Sequence, residues 1–374
     1  MEEKKIKELV KKHEEHKLSG INLVASENRI SPYAAEILAS DLAGRYGNEW
    51  YGGSKYAMEI YETVERLVKK LFKAKYAFIT PLSGNICDVA AILAFSNFGD
   101  EVAGIPKENG GYPFGYEKFG RKFYPLPTKE YFIDEDKLGN INKEFPLIML
   151  ASSTILFPHP VEKIAKEFKG VLCYDASHVL GLIAGGAFQK PLKEGAKLMI
   201  ASTHKSFPGP QGGIVIANDA EIAEKIAPYL LFDFDKGIGL IDNPHMNRIA
   251  ALGAVIEEMI EGGEEYASQI VKNAKYLARC LDDLGVPVKY KHRGYTESHQ
   301  ILLNMDKKEA YDYFKKLERN SIFIDCVGRI GVAEATHVGM KEEEMEEIAH
   351  MMAEVYDGGE VGEKASKLAM EFYL

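Results

Sequence analysis

Short apolar segments alternate with helical patterns between residues 76 and 217, and this alternation limits the folds open to the chain. The apolar segments lack the polar–apolar alternation of a half-exposed strand, so each predicts a strand that is buried on both faces. Strands of that kind, separated by helices, form a parallel sheet with helices on both sides. We predict strands at 76–80, 101–104, 147–151, 170–174, 197–201 and 213–217, and helices at 85–97, 161–168 and 191–195.

The sequence outside this region predicts further helices and a second, smaller domain. Residues 3–17 predict a short polar helix. Apolar residues at helical spacing predict helices at 57–73 and 243–261, and the second of these ends before Gly262 and Gly263. A mixed pattern follows the two glycines. It predicts helices at 264–284, 307–318, 341–356 and 362–372, and strands at 286–290, 300–304 and 322–325.

These elements predict an α/β protein with two domains. We expect an amino-terminal helix or arm at 1–20, a large domain at 21–242, an interdomain helix at 243–262 and a small α+β domain at 263–374.

Composition argues against several classes of partner. The 374 residues carry a formal charge of −10, whereas nucleic-acid binding needs a concentration of Lys and Arg. The four cysteines are widely spaced and form no Cys-x-x-Cys pair, which argues against a zinc site or a disulfide framework. The charged amino terminus has no apolar leader, and no segment has the length of a membrane span. We therefore expect a cytoplasmic protein with no metal, nucleic-acid or membrane partner.

One lysine lies in a loop that has the features of a covalent cofactor site. Residues 201–213 read Ala-Ser-Thr-His-Lys-Ser-Phe-Pro-Gly-Pro-Gln-Gly-Gly, so Lys205 follows a predicted strand in a segment too rich in Pro and Gly to form a helix. Upstream, another predicted strand runs into Asp175, and His178 follows. A Schiff-base lysine, an aspartate for a pyridinium nitrogen and a nearby histidine are the parts of a pyridoxal phosphate site. The pattern indicates an enzyme of amino-acid chemistry.

A second motif fits the phosphate of the same cofactor. Ser83, Gly84 and Asn85 lie where a predicted strand meets a helix, and backbone N–H groups at a helix start bind phosphate. Most Ser-Gly turns are only turns, so the motif gains its meaning from Asp175 and Lys205.

Several segments resemble the serine hydroxymethyltransferase family, whose members are fold-type I pyridoxal phosphate enzymes. The similar stretches extend from near residue 20 to about 350. The resemblance implies a fold like that of aspartate aminotransferase, with a mostly parallel seven-stranded sheet in the large domain. The segments are Asn-Leu-Val-Ala-Ser-Glu-Asn at 22–28, Tyr-Gly-Gly at 51–53, Pro-Leu-Ser-Gly at 81–84, Asp-Ala-Ser-His-Val-Leu-Gly-Leu-Ile-Ala-Gly-Gly at 175–186, Thr-His-Lys at 203–205, Gly-Pro-Gln-Gly-Gly at 209–213 and Arg-Ile-Gly-Val-Ala at 329–333.

The resemblance assigns cofactor roles to matching residues. It implies that Lys205 forms the Schiff base, that Asp175 pairs with the ring nitrogen, and that His178 lies against the phenolic oxygen. It also implies that His204 lies near the phosphate and that Ser153 touches the phenolic oxygen. Ser152 is the alternative if the alignment slips by one residue.

The resemblance also assigns substrate and subunit roles. Ser26 and Arg329 would bind the carboxylate of a serine- or glycine-type amino acid, with Arg329 as a bidentate clamp. Tyr46 and Tyr51 match tyrosines that enter the site from a neighbouring subunit, which implies a homodimer with shared active sites. Glu49 would be the catalytic glutamate, with Tyr51 beside it.

Some positions depart from the family pattern. Tyr112 stands where the family has a histidine stacked on the ring, Gln211 replaces an arginine, and Val338 replaces another. The segment 320–328, before Arg329, is much shorter than in the family.

These departures leave the one-carbon carrier open between folate, a modified pterin and no carrier. The chemistry we expect is reversible cleavage between Cα and Cβ of L-serine or a related β-hydroxy amino acid, giving glycine. A racemase or an aminotransferase on the same scaffold, and a non-catalytic paralogue, are the alternatives.

Overall fold

A computed structural model gives the fold of residues 5–373. The α-helices are α1 (Lys5–Leu18), α2 (Pro32–Leu38), α3 (Lys55–Phe72), α4 (Gly84–Phe95), α5 (Glu135–Leu138), α6 (Val161–Glu167), α7 (Leu180–Ala184), α8 (Pro191–Glu194), α9 (Ala220–Leu230), α10 (Met246–Asp283), α11 (Lys307–Arg319), α12 (Ala333–His337), α13 (Glu342–Tyr356) and α14 (Gly362–Tyr373). The strands are β1 (Ile21–Asn22), β2 (Tyr76–Phe78), β3 (Glu101–Gly104), β4 (Lys122–Pro125), β5 (Thr128–Lys129), β6 (Phe132–Ile133), β7 (Leu147–Ala151), β8 (Val171–Asp175), β9 (Leu198–Ser202), β10 (Gly213–Ala217), β11 (Gln300–Leu302), β12 (Ile322–Phe323) and β13 (Arg329–Gly331).

The described chain divides into two compact units. The larger unit is Arg29–Ala267, and the smaller one joins the described residues up to Asn28 to those from Ser268 onward. The domain ranges expected from the sequence, with boundaries at 20, 242 and 262, stay a prediction.

The larger unit is built on one seven-stranded sheet. Its strand order is β2-β10-β9-β8-β7-β3-β4, and every neighbouring pair is parallel except the two that involve β10. The predicted α/β class with a mostly parallel seven-stranded sheet is confirmed. The strands predicted at 101–104, 147–151 and 213–217 have the predicted bounds, and the others shift by one or two residues at an end.

The sheet is buried on both faces, as its apolar strands predict. Every residue of β7, β9 and β10 is buried. The helices α4 and α9 pack their apolar faces on this sheet. They contribute Cys87 and Ile92 from α4, and Ile226 and Leu230 from α9, to its core. Removal of this apolar surface from water stabilises the unit by roughly 25 cal/mol for each Å² buried. The packing fixes the carboxyl ends of β8 and β9 in space.

Two predictions of local structure were wrong. We predicted a helix break at Gly262 and Gly263, but α10 runs through both glycines for 38 residues. Gly263 is buried, and its carbonyl lies against Gly185, whereas Gly262 is exposed with open space beside it, so neither glycine forms a turn here. The predicted strand at 286–290 is reduced to a bridge between Val288 and Leu303, because Pro287 has no N–H group to donate.

The smaller unit contains two short sheets that helices cover. β1 pairs parallel with β12, and β11 pairs antiparallel with β13. The chain after β1 is tied to β13, since Gly331 donates its N–H to Leu23 O at 2.9 Å. Gly331 also lies directly against Ala25, where a side chain would not fit. In residues 5–373, no helix has both the length and the apolar character needed to cross a membrane.

We predict opposite effects of alanine at two glycines. Gly185→Ala should lower the free energy of unfolding by about 1–3 kcal/mol, because the new methyl group would collide with Gly263 O and the Ala267 side chain. Gly262→Ala should raise it by about 0.5–1 kcal/mol, because Gly262 is exposed in the interior of α10 with open space beside it. Urea titration of the two variants measures both values. Equal effects would contradict the close packing at Gly185.

Candidate active site

The predicted cofactor residues follow the carboxyl ends of two neighbouring strands. β8 ends at Asp175 and β9 ends at Ser202, and the two strands pair in parallel with Asp175 opposite Ile200. Ligands of parallel α/β sheets bind at this edge. The segment after β8 carries His178, which is buried, and the segment after β9 carries Lys205, which is half-buried.

Asp175 is a buried carboxyl whose charge is partly compensated. Its Oδ1 accepts the backbone N–H of Ser177 at 2.8 Å. Burial raises the pKa of Asp175, while the nearby charge of Lys205 and hydrogen bonds from Ser177 oppose that rise. The arrangement brings the predicted aspartate and lysine into electrostatic contact. A further cation beside Asp175 would favour its ionised form.

The loop that carries Lys205 is closed by its own hydrogen bonds. Thr203 donates its hydroxyl to Pro210 O at 2.6 Å, and Gly209 donates its N–H to Thr203 O at 2.9 Å. Ser206 accepts the N–H of Gly181 at its Oγ, at 3.1 Å. His204 and Lys205 are both half-buried in this loop. The Pro- and Gly-rich sequence forms no helix or strand here, so these hydrogen bonds are what fixes the backbone that carries Lys205.

The predicted phosphate motif forms the start of α4. Ser83 is the N-cap, and its Oγ accepts the N–H of Ile86 at 3.2 Å. The first N–H groups of a helix have no partner within it and carry the positive end of its dipole, so those of Gly84 and Asn85 can bind an anion. A Cβ on Gly84 would lie 3.0 Å from Ser202 N and 3.1 Å from Ser177 Oγ. This tight fit places the helix start against the segments after β8 and β9.

Tyr112 lies beside the same helix start, and its segment pairs with the segment of Ser153. Tyr112 is half-buried and donates its hydroxyl to Asn85 Oδ1 at 3.2 Å. A bridge between Gly111 and Ser152 joins their segments, and Tyr112 donates its N–H to Ala151 O at 2.9 Å. The structure thus brings Tyr112 to Asn85 and joins the segment of Tyr112 to that of Ser153. The sequence assigned these three residues to one site.

Ser152, the alternative to Ser153, is engaged elsewhere. Its Oγ lies 3.0 Å from His159 Nε2, and both residues are buried. Burial lowers the pKa of His159 to about 4, so this histidine stays neutral at physiological pH. Ser153 is half-buried, which favours Ser153 over Ser152 as the residue available to a ligand.

Two buried titratable residues were missed by the sequence analysis. Asp88 is on α4, and the charge of Asp175 raises its pKa in addition to the effect of burial. The signal in the sequence was an acid within the apolar run 86–93. Arg248 donates to Ile79 O at 2.7 Å and holds the end of β2, and burial lowers its pKa to about 10. No sequence pattern marked Arg248, because its partners are backbone carbonyls far away in the chain.

The predicted substrate residues Ser26 and Arg329 belong to the smaller unit. Arg329 begins β13, and its Nε donates to Asp325 Oδ2 at 2.7 Å. Asp325 Oδ1 also accepts the N–H groups of Arg329 and Val327. Ser26 follows Ala25, which packs on Gly331 of the same strand. The unit therefore brings the strand of Arg329 close to the segment of Ser26.

Tyr46, Glu49 and Tyr51 lie on an exposed turn rather than among the buried residues around Asp175. The rings of Tyr46 and Tyr51 stack with their centroids 4.3 Å apart, and Glu49 is exposed between them in the chain. Trp50 is also exposed and contacts Phe234, with ring centroids at 4.3 Å. The role of these three residues in a shared site stays a prediction.

Comparison with known proteins supplies the family of this fold and site. The sequence profile of the serine hydroxymethyltransferase family matches residues 1–352. A serine hydroxymethyltransferase of Methanothermobacter marburgensis is 38% identical, with 98% of this chain and 93% of that protein covered. One of Pyrococcus abyssi is 36% identical, with 99% and 94% covered. The crystal structure of an L-threonine transaldolase from Pseudomonas fluorescens, in its internal aldimine state, is similar with a TM-score of 0.86 and 27% identity over 98% of this chain and 90% of that one.

The chain has the fold of the type I pyridoxal phosphate enzymes, and it is an enzyme of the hydroxymethyltransferase or aldolase type. It belongs to the serine hydroxymethyltransferase family. The predicted family and the predicted cofactor, pyridoxal phosphate, are both confirmed. The class of reaction is pyridoxal phosphate-dependent cleavage between Cα and Cβ of a hydroxy amino acid.

The residues of the site fit this cofactor. The start of α4 offers N–H groups to a phosphate, and Asp175 is a buried carboxyl that a protonated ring nitrogen would compensate. Lys205 is close enough to Asp175 for their charges to interact. The site thus contains an anion-binding helix end, a buried acid and an amine, as the three polar parts of the cofactor require.

We predict that two neighbouring serines differ in their effect on stability. Ser177 Oγ accepts the buried N–H of Ser202 at 2.9 Å, so Ser177→Ala should cost about 1–3 kcal/mol of unfolding free energy by leaving that N–H unpaired. Ser202 Oγ is buried and has no hydrogen-bond partner in residues 5–373, so Ser202→Ala should be nearly neutral. Chemical denaturation of both variants tests this difference. A larger loss in Ser202→Ala than in Ser177→Ala would contradict the assigned bond.

Proposed function

We propose that this enzyme reversibly cleaves L-serine or a related β-hydroxy amino acid between Cα and Cβ, releasing glycine. The observation that carries the proposal is the buried grouping of Asp175 with Lys205 beside the start of α4. The family membership and the likeness to a threonine transaldolase support the same reaction. Serine is the proposed substrate because the relatives from Methanothermobacter marburgensis and Pyrococcus abyssi are serine hydroxymethyltransferases.

The mechanism assigns separate tasks to the residues of the chain. When bound, pyridoxal phosphate supplies an electron-withdrawing ring that stabilises negative charge at Cα. Asp175 would hold a proton at the ring nitrogen, since its buried carboxylate favours a cation beside it. Lys205 Nζ would bind the cofactor and then accept or donate a proton near Cα. The hydrogen bonds within 203–212 would keep this amine in one orientation.

Binding and orientation of the substrate fall to other residues. Arg329 and Ser26 are proposed to bind the α-carboxylate, with Asp325 holding the guanidinium of Arg329 by its Nε. By fixing the carboxylate, Arg329 and Ser26 would decide which bond to Cα is oriented for cleavage. Glu49 and Tyr51 are proposed to carry the proton at the substrate hydroxyl.

Tyr112, His178 and His204 are proposed to position the cofactor itself. Tyr112 would stack on the ring, and its hydrogen bond to Asn85 holds the phenol in place from the start of α4. A phenol can stack as an imidazole does, but it is not an acid or base at physiological pH, and burial raises the pKa of Tyr112 further. His178 and Ser153 would contact the phenolic oxygen, and His204 the phosphate.

The acceptor of the one-carbon unit is proposed to be a modified pterin, or no carrier at all. The segment 320–328 is short, and the carboxylate of Asp325 within it already accepts hydrogen bonds from the backbone and from the guanidinium of Arg329. This segment therefore offers little for binding a folate, which supports the proposal. A second candidate function is transfer of the glycyl group of L-threonine to another aldehyde. The likeness to the threonine transaldolase favours it.

We propose that the enzyme is a homodimer with shared active sites. The exposed rings of Tyr46, Trp50 and Tyr51 support this, because large aromatic side chains at the surface are typical of interfaces. An apolar groove of about 600 Å³ is lined by Tyr33, Tyr56 and residues of α3 and α10 and adds to the apolar surface of the same unit.

The substrate proposal predicts products in the absence of any pterin. The full-length protein with pyridoxal phosphate should be yellow and should release an aldehyde and glycine from L-threonine or L-allo-threonine, and formaldehyde more slowly from L-serine. Lys205→Ala should lose aldehyde release by a factor of about 10³ or more, because Lys205 supplies the amine beside Asp175. Product analysis by mass spectrometry is the measurement.

The other reactions give different products in the same experiment. A 2-oxo acid would identify an aminotransferase, and a D-amino acid would identify a racemase. A colourless protein that takes up no pyridoxal phosphate would contradict the whole proposal. With added benzaldehyde and L-threonine, a new β-hydroxy amino acid would identify the glycyl transfer.

We predict that Arg329→Lys raises the KM for L-threonine by about tenfold while the cofactor stays bound. Lysine keeps the positive charge but cannot make the bidentate contact with a carboxylate. Arg319→Lys is the matched control, since Arg319 is exposed at the end of α11 in the same unit, and its KM should equal that of the wild type. An unchanged KM in Arg329→Lys would remove Arg329 from the substrate site.

A further inference from the structure

One acidic side chain lies within the site region and has no task in the mechanism above. Asp88 is on α4, one helical turn after Gly84, and only 2% of its surface is exposed. Its Oδ1 is buried and has no hydrogen-bond partner in the described chain. Native structures pair nearly all such atoms, so an unpaired carboxyl oxygen calls for an explanation.

Asp88 is held near Asp175 by the packing of α4. Gly84, at the start of this helix, fits against Ser177 and Ser202, and Ser177 is bonded to Asp175. Cys87, the neighbour of Asp88, lies with its Sγ 3.6 Å from Ile214 O on β10. The charge of Asp175 accordingly raises the pKa of Asp88. The helix cannot move away without opening this contact with the sheet.

The two carboxyls differ in the donors around them. Asp175 receives the backbone N–H of Ser177 and a further hydrogen bond from its hydroxyl, in addition to the charge of Lys205. The charge of Lys205 also acts on Asp88, but its Oδ1 receives no hydrogen bond from residues 5–373. Hydrogen bonds to a carboxylate favour its charged form. When the pair carries one proton, that proton therefore belongs on Asp88.

Other titratable groups face Asp88, and they do not supply a compensating charge. The charge of an ionised Asp88 would raise the pKa of each of these phenols and thiols, which are neutral at physiological pH. Lys205 is the cation whose charge acts on Asp88, and the same charge acts on Asp175. The groups are Asp175 and Cys173 on β8, Lys205 after β9, Tyr112 and Tyr116 before β4, and Cys87 on α4 itself.

We propose that Asp88 is an uncharged carboxylic acid that acts as a positioning residue, keeping the buried pair at one negative charge so that Asp175 alone faces the ring nitrogen of the cofactor. The inference rests on the proposed role of Asp175 in binding pyridoxal phosphate. A second buried negative charge would compete with Asp175 for the cation and would need a partner that the site does not provide.

The first test compares the stability of wild type and Asp88→Asn from pH 4 to pH 9, using the full-length protein with and without pyridoxal phosphate. In the unfolded chain an aspartate loses its proton near pH 4, whereas the folded protein keeps the proton on Asp88 to a much higher pH. The contribution of Asp88 to the free energy of unfolding therefore falls as pH rises through this window, and asparagine removes that loss. The melting temperature of Asp88→Asn should equal that of wild type near pH 4 and exceed it increasingly at higher pH.

Asp282→Asn is the control with the opposite sign. A hydrogen bond from Lys291 lowers the pKa of Asp282, so its carboxylate stabilises the fold above the unfolded pKa and loses that effect as pH falls. The Asp282→Asn variant should be less stable than wild type at neutral pH and approach it in acid. A difference between Asp88→Asn and wild type that is constant with pH, or that has the sign of Asp282→Asn, would overturn the inference.

The second test measures how Asp88 affects the binding and the titration of the cofactor. Asp88→Asn should bind pyridoxal phosphate within about threefold of wild type, because asparagine is uncharged and of similar size. The pH at which the absorption band of the bound cofactor changes should be the same in wild type and Asp88→Asn. A shift of that pH to lower values in Asp88→Asn would mean that a negative charge had been removed, and would overturn the inference.

A measurement on the wild type covers the case in which a variant does not fold. Infrared spectroscopy should detect the C=O stretch of a carboxylic acid at neutral pH, and its loss only at high pH. The absence of that band at neutral pH would overturn the protonated state of Asp88. A colourless wild-type protein with this band present would contradict the cofactor site and not the protonation of Asp88, so the two failures are distinguishable.

Discussion

The parallel pairing of β8 with β9 is the constraint on which the site depends. It brings the residues after two strands to one edge of the sheet, where Asp175 and the loop of Lys205 meet the start of α4. The strands are held there by burial of their apolar residues on both faces. A shift of β9 against β8 would separate the acid from the amine. The register of β8 against β9 therefore determines both the packing of the apolar core and the positions of the site residues.

Burial of charge at this edge is the second constraint. Asp175 is kept away from water, and its hydrogen bonds from Ser177 and the charge of Lys205 offset only part of the cost. A cofactor with a protonated nitrogen would complete the balance, so the fold without it holds a site that favours a cation. The same reasoning makes Asp88 uncharged, because the site supplies fewer donors to it. The electrostatics of the site thus follow from the number of donors that each carboxyl receives.

Parts of the structure were predictable because they depend on local sequence. The apolar strands from 101 to 217 and the helix starting near Ser83 follow from periodicity and capping, and the structure confirmed them. The continuous helix through Gly262 and Gly263 was not predicted, because two adjacent glycines favour a helix end in the sequence, and the packing of this helix against Gly185 comes from far away in the chain. The prediction of a strand at 286–290 was wrong for a local reason, because Pro287 has no N–H group to donate to a neighbouring strand.

The sequence by itself determined the sheet class, the cofactor and the family, since these follow from hydrophobic period and from short motifs around Asp175 and Lys205. Only the tertiary structure decided which groups surround those residues. In the folded chain Asp88 lies near Asp175. Hydrogen bonds join Tyr112 to Asn85, Ser152 to His159 and Arg329 to Asp325. Most of these partners come from different segments of the chain. The pKa of a buried group depends on every charge and donor around it, and packing alone fixes their positions.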